Sequence, residues 1–173
     1  ALYIDTLGSL EQVVSLQTEQ SKGKKKVLTP QSMRLPAPVK RSSGIASNFL
    51  CDNSSYLLGV DSKGKPQRSV DCFQACAALH EQILADVDTP AARALLAFFR
   101  TWQPGEAATH PALKEYWDEI LSGGNLVFWY GGTYIHDDPQ IRLAWERHYS
   151  SAADRDAPQM VCLVTGEKEI GRA

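Results

Sequence analysis

Hydrophobic and polar positions along the chain mark a strand-like opening, a polar middle and a run of amphipathic segments. The first twenty residues alternate loosely. Leu2 and Ile4 precede Leu10, Val13, Val14 and Leu16, with Leu7-Gly8-Ser9 between them, which predicts a hairpin or two short strands. Residues 18–43 lose that periodicity and carry Pro30, Pro36 and Pro38, so they read as an exposed loop with at most an edge strand over residues 27–33. Tyr56-Leu57-Leu58-Gly59-Val60 is strand-like and runs into the turn Asp61-Ser62-Lys63-Gly64-Lys65-Pro66.

From residue 69 the period becomes helical. Ser69 is the expected N-cap, and Val70, Phe73, Cys76, Ala77, His80, Ile83, Leu84 and Val87 share one face. Thr89-Pro90 repeats the cap-then-proline signal and opens a second helix with Leu95, Leu96, Phe98, Phe99 and Trp102. A third is expected from His110-Pro111, burying Leu113, Tyr116, Trp117, Ile120 and Leu121 and stopping at Gly123-Gly124. Residues 125–130 and 133–136 flank Gly131-Gly132, a pair able to take the positive φ angles of a two-residue type I′ turn. Asp137-Asp138-Pro139 caps a fourth helix with Ile141, Ala144, Trp145 and His148 inward, and residues 159–167 read as a last strand.

These elements predict an α+β fold: a small antiparallel sheet and hairpins packed with about four amphipathic helices. One domain of 173 residues is expected, with residues 1–68 as a β-rich basic lobe and residues 69–173 as a mostly helical lobe containing a hairpin. Hydrophobic residues at 43% and charged residues at 22% suit a soluble protein, and no apolar run is long enough to span a bilayer. Four Cys without regular spacing do not form a disulfide framework, which suggests reduced thiols in a cytoplasmic protein.

Charge changes the picture more. The net charge is only −2, yet residues 22–68 hold ten of the eighteen Lys and Arg and just two acids, Asp52 and Asp61. A segregated cationic stretch in an otherwise acidic chain is addressed to a polyanion, because clustered Lys and Arg release counterions condensed on phosphates. Within it, Lys40-Arg41-Ser42-Ser43-Gly44, with Asn48 close behind, offers a dense set of phosphate and base-edge contacts. It combines cations and hydroxyls for phosphate, a glycine that permits close approach and an amide able to read base edges. Lys22, Lys24, Lys25 and Lys26 form a second cluster suited to steering and gripping a nucleic-acid backbone.

Other candidate chemistry has simpler explanations. Cys72, Cys76 and His80 stack at helical spacing as a soft metal would require, but they also lie on the apolar stripe of their helix. His136-Asp137 with Asp138 and Glu146 resembles a metal-phosphohydrolase cluster, but an aspartate directly before Pro139 is a helix cap. Neither a phosphate-binding P-loop nor a nucleophile elbow is present. No catalytic residue, metal or cofactor is assigned.

Taken as ordered strings, several blocks carry a resemblance. They are Val39-Lys40-Arg41-Ser42-Ser43-Gly44-Ile45-Ala46-Ser47-Asn48-Phe49-Leu50, Asp52-Asn53, Tyr56-Leu57-Leu58-Gly59-Val60-Asp61 and Gly64-Lys65-Pro66. Ile120-Leu121-Ser122-Gly123-Gly124-Asn125-Leu126-Val127-Phe128, His136-Asp137-Asp138-Pro139, Ile141-Arg142, Ala144-Trp145-Glu146-Arg147 and Cys162-Leu163-Val164-Thr165-Gly166-Glu167 follow in order. Together they resemble the N-terminal part of the large subunit of the type I-C CRISPR surveillance complex, Cascade.

The resemblance implies a non-catalytic, DNA-binding antiviral-defence protein. Such a subunit recognises the protospacer-adjacent motif in double-stranded target DNA and aids R-loop initiation. Its implied partners are the guide-RNA ribonucleoprotein with other CRISPR subunits and a recruited helicase-nuclease. The expected DNA-binding residues are Lys40, Arg41, Ser42, Ser43, Gly44 and Asn48, with Lys22, Lys24, Lys25 and Lys26 on the backbone. The resemblance also implies an upstream helix and a continuation past residue 173, so the chain reads as an N-terminal portion. A second expectation, from the acidic helical part, is a protein-interaction scaffold within the complex that reads no motif.

Overall fold

The computed structural model describes residues 1–22, 25–41, 44–156, 159–161 and 168–170, and side chains at residues 1–19, 27–41 and 44–150. Strands β1 (Leu2–Ile4) and β2 (Leu10–Val13) form the expected antiparallel hairpin. Asp5 shapes its turn, its Oδ1 accepting hydrogen bonds from the Leu7 and Ser9 amides at 2.8 Å each. Gly8 has φ +79°, and a Cβ there would lie 2.2 Å from the Phe98 backbone nitrogen, so the turn sits directly against a helix backbone.

The first half of the stretch expected as an open loop is instead a hairpin. Strands β3 (Gln17–Lys22) and β4 (Lys25–Pro30) pair in continuous register from Gln17↔Pro30 to Lys22↔Lys25. Thr18 and Thr29 each donate a hydroxyl hydrogen bond to the other's carbonyl, at 3.3 and 3.4 Å. Cross-strand polar pairing thus supplies what an apolar alternation would have signalled.

A second correction concerns residues 51–60. The strand is β5 (Cys51–Asp52), and the segment expected to be extended is the short helix α1 (Ser54–Leu57). Asn53 caps α1, its side-chain oxygen accepting from the Ser55 amide at 3.0 Å, and Gly59 at φ +73° ends the turn. The following helix, α2 (Pro66–Leu84), starts earlier than Ser69, with proline in its first turn. Ser69 is buried and donates instead to Asp61 Oδ2 at 2.8 Å.

Helix α3 (Pro90–Thr101) has the expected start, the Thr89 hydroxyl accepting from the Ala92 amide at 3.2 Å. The expected third helix, from His110-Pro111, is 3₁₀ over Pro111–Tyr116 and becomes α4 only at Trp117–Leu121; another 3₁₀ segment, Pro104–Thr109, precedes it. Strands β6 (Leu126–Tyr130) and β7 (Thr133–Tyr134) flank Gly131 and Gly132, both at positive φ, as expected of a type I′ turn. A 3₁₀ turn, Ile135–Asp137, leads to α5 (Pro139–Asp156), capped by Asp138 through the Gln140 and Ile141 amides. Strands β8 (Gln159–Val161) and β9 (Lys168–Ile170) pair antiparallel; residues 162–167 of the expected last strand lie outside the described residues.

The fold is α+β, with one sheet drawing strands from both halves of the chain. Its order is β2-β1-β6-β5, and β7 pairs with β6. The β1–β6 pair is parallel, with Leu2 opposite Phe128, so the sheet is mixed where an antiparallel one was expected. Phe98 and Phe99 of α3 meet Phe128 edge-on at 5.1 and 5.8 Å, joining helices to sheet. Among the described residues no helix is long and apolar enough to cross a membrane.

His80 of α2 is fully buried in this core. Its Nε2 accepts from the Leu50 amide at 3.0 Å, which places the ring proton on Nδ1, donated to the Cys76 carbonyl at 2.8 Å. The residue is therefore a satisfied core histidine and holds Leu50 at φ +64°, a conformation costly for any residue but glycine. Burial pushes its pKa down from 6.5 to about 4, against the pull of the Cys76 carbonyl and Asp52.

Because the unfolded chain takes up this proton near pH 6.5 and the folded one only near pH 4, the stability contributed by neutral His80 is complete above pH 6.5 and is lost as pH falls from 6.5 towards 4. Urea midpoints measured across that window should fall in wild type and much less in His80→Gln. Gly8→Ala should cost about 2–3 kcal/mol in the same assay, because positive φ and overpacking act together.

Candidate nucleic-acid interface

The loop before β5 is held by one carboxylate. Asp52 is 1% exposed and accepts four hydrogen bonds. Arg41 donates to both oxygens, through Nη1 to Oδ1 at 3.1 Å and through Nη2 to Oδ2. The Asn48 amide donates at 2.9 Å and the Asn53 amide at 2.8 Å. Arg41 Nε also reaches the Ala46 carbonyl at 2.6 Å, and the guanidinium lies 4.2 Å from the Tyr56 ring centroid. A bidentate, stacked arginine defines a loop far more tightly than a lysine in its place could.

Further contacts fix the rest of the loop. Asn48 Oδ1 accepts from the Val39 amide at 2.9 Å, and the Ala46 amide donates to the Tyr56 hydroxyl at 3.3 Å. Phe49 stacks between His80 and Trp145 at 4.8 and 5.3 Å, seating the end of the loop in the core. Gly44 has φ +84° with open space where a side chain would point, so its backbone angle, not close packing, demands glycine.

Of the expected site residues, Arg41 and Asn48 meet at Asp52, Arg41 through its guanidinium and Asn48 through its backbone amide, while the Asn48 side chain holds the Val39 amide. Lys40 is exposed and makes no ion pair among the described residues. Ser42 and Ser43 lie outside the described residues, as does Lys24. Lys22 and Lys25 face each other across the end of the β3–β4 hairpin, and Lys26 pairs with Ser21; this hairpin is a sheet of its own.

Sequence reasoning missed Arg68, whose Nη2 donates to the Gly44 carbonyl at 3.2 Å and so brings a further cation to the loop. It also missed Asp52, Tyr56 and His80 as its supports. Their signal was chemical only: an acid inside a cationic stretch has to be paired if it is buried.

The two metal-like clusters are otherwise engaged. Asp137 pairs with Arg142 Nη2 at 3.0 Å, Arg142 Nε donates to the His136 carbonyl at 3.2 Å, and Asp138 caps α5. His136 is buried with its Nδ1 unpartnered, and burial lowers its pKa. Cys76 is also buried, which raises its thiol pKa to about 12, far from thiolate chemistry. Among the described residues no three His, Cys, Asp or Glu side chains converge as metal ligands.

The sequence pattern of the CRISPR-associated protein family Cas_Csd1 matches residues 1–172, and the chain belongs to that family. No curated protein matches it.

Asp52→Asn removes the charge while keeping the shape. It should destabilise the protein by about 2–3 kcal/mol, the usual cost of breaking a buried pair, reduced because Arg41 is partly solvated. Urea denaturation checks the magnitude, and limited proteolysis should show the loop opening at the Lys40-Arg41 bond.

Proposed function

We propose that this chain is the DNA-recognising portion of the large subunit of a type I-C CRISPR effector. It engages duplex DNA at the protospacer-adjacent motif and helps strand separation begin, while guide RNA in the assembled complex reads the target by pairing. In this reading it performs no catalysis itself, acts in the cytoplasm, and leaves cleavage to a recruited helicase-nuclease. The family membership makes a CRISPR role the premise.

The observation that carries the reading is the order of the cationic loop. Solvated basic loops are seldom held by a buried carboxylate, a buried imidazole and an aromatic sandwich at once, as this one is by Asp52, His80 and Phe49. Lys40 is the outward cation and contacts phosphate, with Ser42, Ser43 and Gly44 following it. Arg41 and Asn48 act chiefly through the shape they give the loop. Lys22, Lys24, Lys25 and Lys26 steer DNA and grip its backbone without choosing sequence.

A scaffold role within the complex is the second reading. It rests on Leu143 and Tyr149, which leave α5 46% and 58% exposed.

Lys40→Ala in the assembled complex should weaken all duplexes and lower the salt slope by about 1. Arg41→Lys should cost preference for motif-bearing over scrambled duplex. Titrations at two salt concentrations measure both. Equal discrimination by wild type and Arg41→Lys would place motif reading elsewhere, and duplex binding independent of salt would favour the scaffold.

A further inference from the structure

Beside the start of α2 lies an open cleft of about 290 Å³. Val60, Pro66, Val70, Pro104, Trp117 and Leu121 supply its larger apolar side chains, and the charged residues on its lining are Asp61 and Lys65. The walls are fixed at close range: Gly59 lies so near Pro104 that a Cβ would sit 2.7 Å from the proline ring. Asp61 is turned to internal partners, accepting from the Ser69 hydroxyl and the Lys63 amide at 2.8 Å each. Lys63 and Lys65 are exposed in the turn that leads into α2, Lys65 on the cleft lining itself, and Arg68 is exposed in the first turn of the helix.

We propose that this cleft takes one unpaired nucleotide of a single-stranded nucleic acid, its base against Trp117 and the prolines and its phosphates on Lys63 and Lys65. The chemistry is an apolar cleft with an aromatic ring and a lysine on its lining and a second exposed lysine two residues away, the combination of stacking surface and positive charge that binds single strands without reading sequence. The volume suits a base with its sugar and lies at the small end of ligand sites. A duplex presents no free base face, so the slot selects unpaired strand. Arg68, in the first turn of α2, is tied to the Lys40 loop through the Gly44 carbonyl. The inference goes beyond motif recognition and does not require it.

The test is fluorescence anisotropy of fluorescein-labelled oligothymidine with the full-length protein, with motif-bearing duplex titrated in parallel. Wild type should bind the oligonucleotide in a salt-dependent way, and Trp117→Ala should weaken it about tenfold. Lys65→Glu, at an exposed position, should weaken it and flatten the salt slope by about 1 to 1.5. Failure of wild type to bind, or either folded variant binding within twofold of wild type, overturns the assignment. Should Trp117→Ala melt early, Lys65→Glu decides alone. Duplex preference kept while these variants bind oligothymidine normally sinks only the cleft; oligothymidine binding weakened by both variants without any duplex preference sinks only the motif reading.

Discussion

A carboxylate with almost no contact with water has to be answered by donors, and in this protein the donors define a surface. Asp52 accepts from Arg41 twice and from the amides of Asn48 and Asn53. Each bond is short in sequence, yet together they pin Arg41, Asn48 and Asn53 to one point. Leaving any of these groups unpaired at that depth costs more than the bond itself is worth, so the loop has one arrangement of low energy.

The pin works because β5 and α2 hold its surroundings rigid. Cys51 and Asp52 are paired to Val127 and Leu126, so the carboxylate is carried by the sheet. Two residues earlier, Leu50 takes a left-handed conformation that His80 answers with an acceptor, and Phe49 fills the space between His80 and Trp145. Strain, hydrogen bond and aromatic packing meet within a few residues. The same core that stabilises the fold thereby fixes the cationic loop, and Arg68 extends the fixed surface towards the start of α2.

This arrangement redistributes the work among the cations. Arg41 looked like a ligand-facing residue, yet three of its donors serve the protein itself. Lys40, next to it, stays in solvent. Arginine is suited to the internal post because its fork matches a carboxylate and stacks on a ring, while lysine serves as an outward point charge.

Where a local rule sufficed, the elements were legible in the sequence: Thr89-Pro90 and Asp138-Pro139 at helix starts, Gly131-Gly132 at a hairpin, and the apolar stripe of α2. The cationic segregation over residues 22–68 was equally plain. Errors fell where pairing partners lie far apart or burial is shared. The polar β3–β4 hairpin has no apolar alternation to announce it, and Tyr56-Leu57-Leu58 is apolar enough for either strand or helix until Asn53 caps it. The parallel β1–β6 pair, Phe49 between His80 and Trp145, and the depth of Asp52 join residues up to 126 positions apart. Sequence alone determined which residues carry charge and which segments can coil. Only the tertiary structure decided which charges are spent inside and which face outward, because burial is a property of the assembled core and not of any stretch of chain.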